Sequence, residues 1–411
     1  MKKIILILFL FSNSFVYSQS GWIQQYSGTN NDLRSVTFLN SNTGTAVGLF
    51  GTILHTTNGG INWISQNSGT SEYLNSVFFI NTNIGTAVGN NGVIIHTTNG
   101  GINWISQNSG VTYELNGVYL VDTNVGTIFS SFGSGILHTT NGGTNWVVQS
   151  NISNKYAVYF NDVNTGTTVG DFILHTTNGG INWAFQNNSP NGTLFDVKFI
   201  NYQTGFAVGV GGTIMKTING GNNWSLQSTG GPDPIQSVSF INANTGTVVG
   251  WFGTIYHTTN GGANWVRQDC PTNDWLLSVS FTDANNGTIV GWFGTILRTT
   301  NGGNPLGIIP QTPQVPDKFH LYQNYPNPFN PTTKIKFSIP EVRSQSAAGG
   351  SEVRLEIYDI LGNEVATPVD EPLQPGTYEV GWDASNYSSG LYFYMLKAGD
   401  FSETKKMLII K

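Results

Sequence analysis

One short motif constrains this chain more than any other feature: Thr-Thr-Asn-Gly-Gly, carried seven times with Ile218 for the second Thr in the fifth copy, and followed by x-x-Trp in the first six. Its asparagines are Asn58, Asn99, Asn141, Asn178, Asn219, Asn260 and Asn301, spaced 37 to 42 residues apart. A fixed period of that size marks a repeat architecture, in which each unit buries its apolar face only against its neighbours. Inside one period, residues 33–39 alternate apolar and polar, a turn follows at Asn42-Thr43-Gly44, and 45–48, 52–56 and 63–66 read as three further strands. Gly51 turns the chain between the second and third. Asn58-Gly59-Gly60 suits a tight hairpin between the third and fourth, with the Asn58 side chain accepting backbone bonds two residues on. Four short strands in about 40 residues make a propeller blade.

The tryptophans indicate how the ring closes. Trp63, Trp104, Trp146, Trp183, Trp224 and Trp265 follow the first six motifs, whereas the seventh runs into Asn304-Pro305 and has none. Trp22, a tryptophan that follows no motif, stands near the beginning instead. The segment around it is therefore expected to supply the fourth strand of the last blade, leaving no open sheet edge. The expected fold is all-β: a seven-bladed propeller over 19–304, a proline-rich linker at 305–317 and a small immunoglobulin-like sandwich at 318–411.

Composition agrees and excludes several classes. Charged residues are 10% and glycines number 51, as short strands and tight turns require. Lys2 and Lys3, the apolar run 4–11 and Val16-Tyr17-Ser18 read as a signal peptide over 1–18, so an exported protein is expected. Cys270 is the only cysteine, so an internal disulfide is excluded and stability rests on packing. The net charge of −6 lacks the basic footprint of a nucleic-acid binder.

The motif resembles the Asp-box (BNR) repeat, Ser/Thr-x-Asp-x-Gly-x-Thr-Trp, with Thr56, Asn58, Gly60 and Trp63 in matching positions. Asn replaces Asp in every copy. With its Ala-Val-Gly-x-x-Gly-Thr-Ile run, the whole repeat is similar to the propeller family of the photosystem II assembly and stability factor over about 21–301. That resemblance implies a propeller and, more distantly, a role as assembly factor for a membrane complex. A feature present in every blade is expected to be architecture, so the boxes read as scaffold.

Other candidate residues have plainer readings. His55, His96, His138, His175, Lys216, His257 and Arg298 occupy one position in successive blades, away from the axis. Metal ligands must converge, so no metal and no cofactor is expected, and inter-blade packing is the better reading. Asp162–Gly166 and Asp283–Gly287 mimic calcium loops but lack the remaining acidic ligands and align with ordinary turns. Asp-box propellers include sialidases, and the resemblance implies three arginines and a Tyr–Glu pair for such chemistry. The propeller has only Arg34, Arg267 and Arg298, with Glu72 and Glu114 beside Tyr73 and Tyr113. No catalytic residue is assigned; a divergent glycoside hydrolase is the alternative to a binding module.

The blades differ most in the loops between second and third strands. Phe50, Trp251, Phe252, Trp292 and Phe293 fall there in blades one, six and seven, neighbours once the ring closes. Trp275 enters blade seven on the same face. Together they are the candidate ligand-binding sector for a glycan or protein, the plainer reading being rings folded inward over the blade tops.

The C-terminal segment opens with Tyr325-Pro326-Asn327-Pro328-Phe329-Asn330-Pro331-Thr332-Thr333. It continues through Tyr358-Asp359-Ile360-Leu361-Gly362 and Ser389-Gly390-Leu391-Tyr392 to the lysine-rich end beginning Lys405-Lys406. It closely resembles the type A C-terminal sorting domain of the type IX secretion system of Bacteroidetes-like bacteria. The resemblance implies the secretion machinery as partner, Gly390, Leu391, Tyr392, Lys405 and Lys406 as sorting signal, and passage across the outer membrane. The expected product is a monomer, secreted or attached to the outer surface, with no other membrane association.

Overall fold

The computed structural model describes residues 21–130, 135–150, 154–186, 192–303, 309–312, 316–340, 351–373 and 376–411; the expected signal peptide lies outside them. The chain divides into two compact units, Gly21–Asn304 and Pro305–Lys411.

The first unit is seven four-stranded antiparallel sheets. Blade one is Leu33–Phe38, Gly44–Gly48, Ile53–Thr56 and Ile64–Gln66 in spatial order, and the others repeat it. Its second strand, Gly-Thr-Ala-Val-Gly, is buried at every residue, since neighbouring blades cover both faces. The closing glycine of that strand is forced by close approach: a Cβ on Gly48 would lie 2.0 Å from the Asp32 carbonyl. First strands pack against first strands around the axis, and their serines cross the interface. Val77 N–H donates to Ser35 Oγ at 3.3 Å, and Val118 N–H to Ser76 Oγ at 3.4 Å.

The box is a side-chain-built turn. Thr56 Oγ1 donates to Asn58 Oδ1 and accepts from Gly60 N–H, both at 3.0 Å, and Asn58 Oδ1 accepts from Asn62 N–H at 3.0 Å. The asparagine thus caps the backbone four residues on, not two, and the connection from Thr56 to Ile64 is wider than a two-residue hairpin. Gly59 N–H donates to Asn42 O at 2.8 Å, tying the box to the first turn of its own blade. The Thr-to-Asn bond recurs at Asn99, Asn141, Asn178, Asn219, Asn260 and Asn301. Trp63 stands edge-on to Phe38 at 5.9 Å, and Trp104, Trp183, Trp224 and Trp265 meet Phe79, Phe160, Phe199 and Phe240 in the same way. Trp146 packs with Leu120 and Val118, its Nε1–H donating to Gln107 at 3.1 Å.

Closure is as expected. Gly21–Gln25 pairs antiparallel with Ile296–Gly303 as fourth strand of blade seven. Trp22 is 1% exposed, stands 5.7 Å edge-on to Phe281, and donates Nε1–H to Gln268 Oε1 at 2.9 Å. Blade one then meets blade seven through Val36 N–H to Ser278 Oγ (3.2 Å) and Phe38 N–H to Ser280 Oγ (3.1 Å). Blades seven and six make the equivalent bonds, Val279 to Ser237 and Phe281 to Ser239. The junction between the first and last blades is therefore built like an interior one.

Blade four departs from the pattern. Lys155 stands where the others have Leu33, Leu74, Leu115, Leu194, Ile235 and Leu276, and is 2% exposed. The loop Asp171-Phe172 is shortened there, and Lys155 Nζ donates to Phe172 O at 3.1 Å. Burial pushes its pKa down to about 8.

The second unit is a two-sheet sandwich. One sheet orders Ile309–Thr312, Gly376–Asp383, Thr332–Ile339 and His320–Leu321; the other orders Glu364–Leu373, Ser351–Tyr358, Gly390–Ala398 and Phe401–Ile409. Phe337, Ile357, Trp382 and Tyr394 are among its buried core. Ile309–Thr312 lies inside the segment expected to be a linker and instead adds an edge strand. The proline-rich opening covers part of the last strand's free edge: Phe329 N–H donates to Leu408 O, Ile410 N–H to Phe329 O (both 3.0 Å), and Leu408 N–H to Asn327 Oδ1 (2.9 Å).

Candidate functional site: an aromatic sector on one face of the ring

The loops between second and third strands lie beside the connections that join blades. Leu49 N–H donates to Asp32 O (3.0 Å) and Gly51 N–H to Glu72 O (2.8 Å); Trp292 N–H and Gly253 N–H reach Trp275 O (3.0 Å) and Asp274 O (2.9 Å). Each loop is thus held by the connection entering its own blade and the one leaving it. The boxes and first turns occupy the other face.

On the loop face the three tryptophans form one stack. Trp275 lies between Trp251, at 3.8 Å and 7°, and Trp292, at 4.0 Å and 24°. All three are partly covered, largely by one another. Phe252 stands edge-on to Trp275 at 6.0 Å and Phe293 edge-on to Trp292 at 6.0 Å. Phe50 is on the same face but packs against Tyr73, edge-on at 5.2 Å. Five of the six predicted residues therefore gather in one cluster, and Phe50 stands one blade further round with a partner the sequence reading left out.

The three phenylalanines carry an unexpected backbone. Phe50, Phe252 and Phe293 have φ of 54°, 56° and 55°, in the left-handed region, and are 59%, 53% and 64% exposed. At the same position blade two has Asn91 (φ 54°) and blade five Gly211 (φ 62°), the residue types that accept this conformation readily. The corresponding loop of blade three lies outside the described residues. A left-handed phenylalanine costs about 1–2 kcal/mol, and here it leaves an apolar ring in water. Each ring keeps an edge-on contact with Tyr73, Trp275 or Trp292 but leaves more than half of its residue exposed.

The remaining candidates do not make one site: Arg34 and Glu114 are linked through Asn75, while Arg267 and Arg298 lie elsewhere. Glu114 Oε1 accepts from Asn116 at 3.0 Å and Asn75 at 3.3 Å, while Glu72 Oε2 accepts from Asn91 at 2.9 Å. Arg34 donates to Asn75 at 3.0 Å on the loop face, Arg298 lies against Gly59 of the first box, and Arg267 is on an outer strand. Each histidine of the repeated position meets a threonine of its own blade's second strand through Nδ1, as His55 meets Thr45 at 3.1 Å and His257 meets Thr247 at 3.0 Å. Burial lowers the pKa of all five. Lys216, at that position in blade five, reaches across to Gly261 O in the next box at 2.6 Å.

In the second unit the predicted sorting residues share one hairpin. Leu391 pairs with Leu408, Tyr392 with Met407, and Lys405 and Lys406 with Tyr394 and Phe393. Gly390 opens the first of these strands, Tyr392 is buried, and Lys405 pairs with Glu403 at 3.2 Å.

Comparison with known proteins follows the same division. Residues 15–154 and 186–269, more than half of the chain, match the model of the photosynthesis system II assembly factor YCF48 family. The chain belongs to that family. Residues 323–411 match the secretion system C-terminal sorting domain, so the second unit is a sorting domain. Among solved structures, YCF48 bound to a D1 peptide superposes with a TM-score of 0.59 at 20% identity, over 71% of this chain and 100% of that one. YCF48 from Cyanidioschyzon merolae gives 0.58 at 20%, over 68% and 98%. The GH74 xyloglucanase of Xanthomonas campestris gives 0.58 at 11%, over 78% and 59%. At such identities the likeness establishes the propeller fold alone. No curated protein sequence matches the chain.

Proposed function

We propose that the propeller is a non-catalytic binding module, exported by the type IX secretion system through its C-terminal domain and working outside the cell, either released or held at the outer surface. Its ligand contacts the loop-face sector of blades six, seven and one. The observation that carries this is the strained, exposed phenylalanine in blades six, seven and one, at the position where blades two and five use asparagine and glycine. A solved member of the family binds a peptide, which supports a ligand-holding role for the scaffold. Glu72 and Glu114 each accept from asparagine amides, which supports a structural duty for both and binding without turnover.

The test is a peptide and glycan array probed with the wild-type chain and with Phe252→Asn/Phe293→Asn. Asparagine takes this backbone without strain, so the variant is expected to be as stable as wild type or more so, yet to lose its array signal. Retention of every signal would sink the sector as a site. Release of sugar from an arrayed glycan, abolished by Glu72→Gln or Glu114→Gln, would replace the binding reading with a hydrolase.

A further inference from the structure

The chemistry around the sector says what it holds. The stacked tryptophans are 3.8 and 4.0 Å apart, so Trp275 offers no free face, and a sugar ring finds no open indole in the middle of the patch. What projects is the three phenylalanines, standing on edge.

The surrounding connections carry acidic residues, with Arg34 and Arg267 at their borders. Segments 26–32, 67–73, 229–234 and 268–275 carry Asp32, Glu72, Asp233, Asp269 and Asp274, and neither they nor the three aromatic loops contain a lysine, arginine or histidine. Arg34, just past Asp32, is engaged by Asn75 and lies over Tyr73. The carboxylates are held in place: Asp32 Oδ1 accepts from Phe293 N–H at 2.9 Å, Asp274 Oδ2 from Thr295 Oγ1 at 2.6 Å, and Asp233 Oδ2 from Thr254 Oγ1 at 3.1 Å. Aromatic rings fringed by fixed carboxylates attract a cation twice over, through the ring face and through the charge.

Resting on the sector as the binding site, we infer that its partner is a basic polypeptide segment that alternates cationic and apolar side chains. Apolar side chains pack between the phenylalanine rings while arginine or lysine meets the carboxylates and ring faces. The pattern is that of an extended strand, whose side chains point alternately to either side.

Three labelled probes test this on the whole chain: a heptapeptide alternating arginine and phenylalanine, its glutamate-for-arginine counterpart, and a xyloglucan oligosaccharide. The arginine peptide is expected to bind, to weaken with rising salt, and to lose about tenfold in affinity on Asp32→Asn/Asp274→Asn. Each asparagine keeps one acceptor oxygen for the Phe293 N–H or Thr295 Oγ1 bond and replaces the other by a neutral NH2, removing the charge, and a urea melt checks that the fold is intact. Binding should also be lost in Phe252→Asn/Phe293→Asn. Equal binding of the glutamate peptide, or an unchanged affinity in the aspartate variant, overturns the inference. Binding of the oligosaccharide alone, abolished by the phenylalanine variant, overturns the inference but leaves the sector as a site. If no probe responds to the phenylalanine variant, both readings fall.

Discussion

The two faces of the propeller ring teach opposite things. On the box face every blade makes the same threonine–asparagine bond, and in the first six the asparagine oxygen also accepts from the N–H four residues on. On the loop face the blades diverge, from Asn90-Asn91-Gly92 in blade two to Trp292-Phe293-Gly294 in blade seven. Uniformity follows from a shared structural duty, and divergence from freedom to meet something outside the fold.

The largest break in this comparison should come from the contact on which closure depends. Trp22→Ala removes a buried indole and strands Gln268 Oε1, for an expected loss of about 3–5 kcal/mol. Equilibrium urea unfolding measures it; a loss below about 1 kcal/mol would mean that the Gly21–Gln25 strand is dispensable. A smaller effect distinguishes cap from charge within the box. Asn141→Ala should cost about 1–2 kcal/mol by removing the acceptor of Thr139 Oγ1 and Asn145 N–H, whereas Asn141→Asp, which keeps that oxygen, should stay within about 0.5 kcal/mol. Equal losses for the two would show that the carboxamide nitrogen matters as well.

The smallest effect per site is on pH. Burial depresses the pKa of His55, His96, His138, His175 and His257. Below pH about 6.5 the unfolded chain takes up protons that the folded chain resists, so stability falls as pH drops through the window between the free value and the depressed ones. The urea midpoint should decline from pH 7 toward pH 5. Replacing His257 by glutamine, which cannot titrate, should flatten the slope by about a fifth; an unchanged slope would place the effect elsewhere.

Much of this was legible in the sequence because repeats supply their own internal alignment. Trp22, a tryptophan that follows no box, announced the closure, and the proline-rich run with the lysine-rich end announced the sorting domain. The clustering of Trp251, Trp275 and Trp292 followed from blade order. Their face-to-face stacking did not, because it depends on interaxial spacing that no single blade encodes. The left-handed backbone was present as a faint signal: lining up the loops sets Phe50 beside Asn91 and Gly211, two residues that share little except tolerance of positive φ. Lys155 could have been found in the same way, as the one polar residue in a column of leucines and isoleucines.

The box has a consequence for the protein's lifetime. Each copy is an Asn-Gly step, the dipeptide most prone to spontaneous deamidation, because the glycine nitrogen readily attacks the side-chain carbonyl. In all seven copies that nitrogen already donates to the first turn of its blade, from Gly59 to Asn42 through Gly302 to Asn285, at 2.8–2.9 Å, and the carboxamide oxygen is held by threonine. Chemical ageing must therefore wait for a blade to open locally. For a protein that carries a sorting domain for export, the hydrogen bonds that shape the turn also slow its clock.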